Sequence, residues 1–126
     1  EAYNQVIAAF RMPKDNDEEK KARSEAIQIA LKHAALVPLE TARLAFQIVE
    51  LAGKVVQNGN PNAVTDGVVA AMLARTAVLA GLYNVKINLT SINDSDFVTD
   101  LSKQVDQLEE VTSRKEKEIL SQADII

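Results

Sequence analysis

Chain-breaking signals in this 126-residue sequence fall in three short places: Met12-Pro13-Lys14, Val37-Pro38 and Asn58-Gly59-Asn60-Pro61-Asn62. Elsewhere the composition favours helix, with eighteen alanines against four glycines and three prolines. Apolar residues recur at three- and four-residue spacing, and no strand-like alternation extends over more than a few residues. The pattern predicts an all-α protein of four helical segments, with a fifth beginning after Asn93-Asp94. At this length it is one domain, 1–126, an antiparallel or orthogonal helical bundle with no internal repeat or linker.

The first segment, Glu1 to Arg11, carries Val6, Ile7 and Phe10 and ends before Pro13, because the residue before a proline avoids the helical region. It opens in the middle of a helical pattern and the chain does not begin with Met, so the expectation is a fragment whose N-terminal helices are missing. The second starts near Asp17 as N-cap, with Glu18 and Glu19 in its first turn and Ile27, Ala30, Leu31 and Ala34 as its apolar stripe. The third starts at Pro38, a residue suited to the first helical position, and ends at Asn58-Gly59. Two apolar rows run along it: Ala42, Phe46, Val49, Gly53, Val56, and Leu44, Ile48, Leu51, Val55. A helix apolar on most of its circumference is expected to pack on more than one side.

The fourth segment, about Ala63 to Leu89, is the most apolar. Gly67, Ala70, Ala74, Ala77 and Gly81 form a small-residue row that lets another helix approach, either in the core or at a subunit seam. Asp66 and Arg75, nine residues apart, point to opposite sides of it. The fifth segment, Ser95 to Leu120, has Phe97, Leu101, Val105, Leu108 and Val111 on one stripe and Asn93 or Asp94 as cap, and closes on the core or on another subunit.

Composition removes several functions. Without cysteine there is no disulfide, thiolate metal site or cysteine nucleophile. One histidine, His33, cannot build a His-rich metal site, so no metal is expected. A net charge of −4 and five aromatics argue against nucleic-acid binding. No run of about 18 uninterrupted apolar residues exists, so no membrane partner is expected.

Few residues remain to carry chemistry. Asp66 sits one turn into an apolar helix behind the Gly59-Asn60-Pro61-Asn62 loop, where unpaired backbone N–H groups suit a carboxylate or a polar ligand edge. It either answers the helix dipole or serves a ligand. Asn84 and Asn88 share a face near the other end and act as caps or as ligand contacts. Eighteen residues separate Asp66 from Asn84, five turns and about 27 Å, so one ligand cannot touch both within one subunit unless it is long. The charge run Asp15 to Glu25 is a solvated helix start, or Lys14, Lys20, Lys21 and Arg23 meet carboxylates of a polyanionic ligand. His33 reads as a flank histidine without a task.

Glu1-Ala2-Tyr3, Met12-Pro13-Lys14, Arg23…Ala26-Ile27-Gln28…Ala34 running into Pro38, Gly59-Asn60…Thr65-Asp66 and Asn84-Val85…Asn88-Leu89 occur in this order. The ordered set, over roughly residues 1 to 98, resembles the cyclodeaminase/cyclohydrolase family. That family includes the C-terminal domain of formiminotransferase-cyclodeaminase and stand-alone bacterial methenyltetrahydrofolate cyclohydrolases. The resemblance implies an all-helical, dimer-forming fold and an upstream part of roughly 60 to 80 residues, the balance of a compact domain, with a Pro-Thr-Pro-Gly-Gly-Gly-Ser type motif that is absent here. With no formiminotransferase domain visible, a stand-alone cytoplasmic protein is expected. The partners it implies are a second copy, the missing N-terminal segment or a formiminotransferase domain.

The implied activity is one-carbon folate chemistry: cyclisation of 5-formiminotetrahydrofolate to 5,10-methenyltetrahydrofolate with loss of ammonia, or hydrolysis of the latter to 10-formyltetrahydrofolate. Neither needs a cofactor beyond the tetrahydrofolate substrate. Asp66 is then the first candidate for general acid/base. By the same resemblance Asn60, Asn84 and Asn88 hydrogen-bond the pterin, Lys14 meets the glutamate tail, and Arg75 is a weaker candidate for that task. The rival expectation is a non-catalytic helical scaffold or regulatory oligomerisation subunit.

Overall fold

Asn16 opens the longest element by accepting a hydrogen bond from Glu19 N–H at 2.9 Å, while Glu19 reaches back to Asp15 N–H at 2.9 Å. The cap is thus Asn16, one residue before the expected Asp17, because only Asn16 has the extended backbone that aims its side chain at the third helical N–H. The computed structural model describes residues 1–123. They form α1 (Ala2–Phe10), α2 (Asp17–Asn58), a 3-10 turn (Pro61–Ala63), α3 (Val64–Leu89) and α4 (Ser95–Gln122), with no strand among the described residues.

The expected break at Val37-Pro38 does not occur: α2 runs through Pro38 without interruption. Proline removes the N–H that would bond the carbonyl four residues back. That carbonyl is Ala34 O, and Asn88 Nδ2–H of α3 donates to it at 3.4 Å. A local breaker is thereby neutralised by a side chain 54 positions from the carbonyl it satisfies. The helix ends at Gly59, whose N–H donates to Val55 O at 2.9 Å and where a Cβ would strike that same carbonyl.

The long helices lie side by side, so the antiparallel alternative holds. α3 folds back on α2: Gly81 lies against Pro38 and Ala42, and Gly67 against Ala52 and Val56. α4 returns along both. Asp94 caps it by accepting from Phe97 N–H at 3.1 Å and pairs with Lys32 at 2.6 Å. The Lys32 hydrogen bond, then that backbone N–H, hold the Asp94 carboxyl below its ordinary range. Further along, Lys86 pairs with Glu109 at 2.7 Å, a hydrogen bond that holds its ammonium above the usual value, and Arg75 Nε lies 3.1 Å from Glu116. α1 packs antiparallel on the start of α2, with Arg23 donating to Phe10 O and His33 Nδ1 2.7 Å from Gln5 Oε1.

Two apolar clusters result. The larger is built on Ala35, Leu39, Ala42, Val78, Leu82, Leu101 and Val105; the smaller joins Val49, Ala52, Ala71 and Ala74 to Ile119 of α4. Of the small-residue row, Gly67, Ala74 and Gly81 are buried against α2, but Ala77 is exposed. The buried row proceeds through Ala71 and Val78 instead. The first apolar row of α2 is buried or half-buried, while Leu44, Ile48, Leu51 and Val55 are exposed, so within one chain α2 is not packed on the expected second side. Pro61–Leu89 is also long and apolar enough to cross a membrane, and only one side of it is covered.

Candidate functional site

Where α1 crosses the α2–α3 hairpin, a cleft of about 410 Å³ opens between Tyr3 and Val6 of α1, Val37 and Pro38 of α2, and Asn84 and Asn88 of α3. Its volume lies in the range of small-molecule sites, and its walls are apolar with a few polar groups, as such sites require. Asn84 Nδ2–H donates to Ala80 O at 3.0 Å, and Asn88 Nδ2–H donates to Asn84 O at 2.8 Å and to Ala34 O. Both hydrogens of the Asn88 amide are occupied, and both asparagines lie inside α3, whose caps are Ala63 and Thr90, so neither is a helix cap. Their Oδ1 atoms have no hydrogen-bond partner among the described residues, which leaves two acceptors free on residues that line the cleft. Tyr3, largely exposed, adds an aromatic ring on the opposite wall. Sequence reasoning passed over Tyr3 as a site residue; its position two residues from the chain start gave no sign that α1 folds back over Pro38.

The other expected site residues lie elsewhere. Asp66 is exposed in the first turn of α3, at the end remote from the cleft. Asn60 accepts from Asn62 N–H at 2.9 Å and so caps the 3-10 turn. Lys14 is exposed in the α1–α2 connection. Counting along α2 at 1.5 Å per residue, it stands about 20 Å or more from the level of Ala34, where Asn88 is bonded. Arg75 is turned to Glu116 of α4, away from Asp66. Its Nε is close to that carboxylate but out of line for a hydrogen bond, so the pair is ionic. Only Asn84 and Asn88 are brought together. His33 lines a second, apolar groove between α1 and α2 with Gln5, Met12 and Ile29. No cluster of three or more His, Cys, Asp or Glu fit to hold a metal exists among the described residues.

Fold and cleft define an all-helical protein built on a long antiparallel hairpin, with an amide-lined cleft where α1 crosses it. The profile of formiminotransferase-cyclodeaminase matches residues 1–107. The chain is 36% identical over 108 residues to methenyltetrahydrofolate cyclohydrolase of Methylorubrum extorquens, covering 86% of this chain and 52% of the relative. It is 33% identical over 96 residues to formimidoyltransferase-cyclodeaminase of Rattus norvegicus, covering 76% of this chain and 18% of that protein. The crystal structure of formiminotetrahydrofolate cyclodeaminase from Thermotoga maritima superposes with a TM-score of 0.69 at 25% identity, over 97% of this chain and 55% of that one. The chain belongs to the formiminotransferase-cyclodeaminase C-terminal domain family. It spans about half the length of the bacterial relative and under a fifth of the rat protein.

Proposed function

We propose that this chain forms the pterin-binding part of a one-carbon folate enzyme. It either cyclises 5-formiminotetrahydrofolate with release of ammonia or hydrolyses 5,10-methenyltetrahydrofolate to 10-formyltetrahydrofolate. The observation that carries the reading is the cleft, in which two uncommitted amide oxygens and a tyrosine ring meet within the family-matched stretch. A pterin is flat and aromatic and carries N–H donors at its edge, which suits acceptors beside a ring.

In the cyclisation, N10 attacks the formimino carbon and forms a C–N bond. N10 gives up a proton, and the departing nitrogen, already NH2 in the protonated formimino group, takes one up as it leaves as ammonia. In the hydrolysis, water adds to the methenyl carbon, and N5 gains a proton as its bond to that carbon breaks. Each reaction removes a proton at one atom and delivers one at another, so a single carboxyl that alternates between its two forms serves both. Asp66 is proposed for this role, and Asn84 and Asn88 for holding the ring. Asn60 stays proposed as a further hydrogen-bonding contact of the pterin and Lys14 as a contact of the glutamate tail, and a cytoplasmic location is part of the proposal.

Tetrahydrofolate derivatives at concentrations well above a micromolar dissociation constant are expected to raise the melting temperature of the chain by mass action. Asp66→Asn is expected to lower turnover by roughly a hundredfold or more while that shift persists. Ammonia release from the formimino substrate marks cyclodeaminase; loss of methenyl absorbance without ammonia marks cyclohydrolase. The second reading, a non-catalytic scaffold, is favoured by the backbone hydrogen bonds of Asn88 and Asn60. An unmoved melting temperature would decide for it.

A further inference from the structure

One side chain of α2 ties down the connection from α3 to α4. Gln28, half-buried, donates from Nε2–H to Ser91 O at 3.1 Å and accepts at Oε1 from Asn93 N–H at 2.8 Å. Ser91 O and Asn93 N–H have no backbone partner among the described residues, so a single amide offers them the donor and the acceptor they lack. Gln28 does not line the asparagine cleft, yet it is linked to a residue that does.

The link runs through Ser91. The last turn of α3 tightens into i→i+3 bonds: Thr90 N–H to Ile87 O at 3.3 Å, Ser91 N–H to Asn88 O at 3.3 Å and Ile92 N–H to Leu89 O at 3.2 Å. Ser91 thus holds the Asn88 carbonyl and gives its own carbonyl to Gln28. Asn88 in turn lines the cleft and reaches Ala34 O of α2 at 3.4 Å, already long for an N–H···O bond. A slide of α3 along α2 by about half an ångström would break that bond and free the amide plane. Leu89 and Ile92 bury the end of α3 in the core, but apolar burial is non-directional and tolerates a slide of that size. Lys32 grips Asp94, and so the start of α4, beyond the segment that carries Asn88. The remaining directional tie between α2 and this end of α3 is Gln28. Ser91 and Asn93 are exposed, so water satisfies both backbone groups when Gln28 is lost. Gln28 therefore supplies register more than stability.

We propose that Gln28 is a positioning residue: it sets the level of Asn88 against α2 and, through Asn88, the affinity of the cleft for a pterin. The second half rests on the folate reading above; the first does not.

Gln28→Met keeps the length of the side chain and removes both hydrogen bonds. The probe is 5,10-methenyltetrahydrofolate, the product of one proposed reaction and the substrate of the other. Gln28→Met is expected to raise its dissociation constant about three- to tenfold, the weight of one hydrogen bond, with a melting temperature close to that of the parent. Gln28→Glu keeps the acceptor for Asn93 N–H and loses the donor to Ser91 O, and should weaken binding similarly, because the Ser91 arm leads to Asn88. Ile119→Ala, in the other apolar cluster, should do the reverse: a lower melting temperature with parental affinity. Asn88→Ala should weaken binding, and adding Gln28→Met to it should cost nothing further. Parental affinity in both Gln28 variants, additive losses in the double variant, or an equal loss of affinity in Ile119→Ala overturns the action through Asn88.

The first half is tested without folate. By nuclear magnetic resonance, the side-chain amide protons of Asn88 should exchange with solvent several-fold faster in Gln28→Met than in the parent, and unchanged exchange overturns it. A parent that binds no 5,10-methenyltetrahydrofolate overturns the proposed function and the second half together, and leaves the amide exchange to decide whether Gln28 holds Asn88.

Discussion

At the scale of single residues, Asn88 joins the fold to the site. Its amide nitrogen satisfies the Ala34 carbonyl that Pro38 strands, which fixes the amide plane and leaves the oxygen for the cleft. The two roles separate experimentally. Asn88→Ala removes the only side-chain donor to Ala34 O among the described residues and is expected to cost about 1 kcal/mol, in line with one part-buried hydrogen bond. With Pro38→Ala also in place, residue 38 regains an N–H that bonds Ala34 O, and the cost of Asn88→Ala should shrink toward zero. A double-mutant cycle in urea measures this, and strictly additive costs would show that Asn88 does not stand in for the missing N–H. The link also explains what the sequence hid. The asparagines were legible as a pair four apart, but the rule that proline ends a helix is local, and the compensating donor comes from another helix.

At the scale of elements, the α2–α3 hairpin depends on two close approaches that differ in kind. A Cβ on Gly81 would lie 2.9 Å from Pro38 O and 3.0 Å from Ala42 Cβ, atoms of a helix backbone and its first side-chain carbon that cannot swing aside. A Cβ on Gly67 would meet Val56 Cγ2 at 2.8 Å, the tip of a side chain that can change rotamer. Gly81→Ala is therefore expected to destabilise by about 1–3 kcal/mol even after the helix-propensity gain. Gly67→Ala should fall near neutral, and equal urea midpoints for the two variants would contradict the distinction. The sequence showed this hairpin well, since Gly67, Ala74 and Gly81 repeat every seven residues and all three are buried. Of the two readings of the row, core or seam, Ala77 does not fit the first, because a small-residue row can step by three or by four and only the partner helix decides which step faces the core. The second apolar row of α2 was legible as apolar, but hydropathy does not say whether its cover is the same chain or another.

At the scale of the whole molecule, the expected site residues divide into stations along a long axis. The 27 Å between Asp66 and Asn84 was readable from residue count alone; the cleft was not, because it exists only where α1 folds back. The same length divides the core. The larger cluster is closed by the first half of α4, inside the family-matched stretch, and the smaller one by Ile119, which lies beyond residue 107. Ile119 is 1% exposed and rests on Gly53, its side chain 3.3 Å from where a Cβ would stand, with Arg75–Glu116 one turn away. Removing it opens a cavity over Val49, Ala52, Ala71 and Ala74 that alanines cannot collapse to fill. Ile119→Ala is expected to cost about 2–5 kcal/mol. The loss should be local: amide exchange should quicken across residues 49–56 and 71–78, while the Leu39–Leu82–Val105 end keeps more of its protection. Uniform quickening along α2 and α3 would mean instead that the two clusters unfold as one. In that case the end bearing Asp66 could not loosen without the asparagine cleft loosening too.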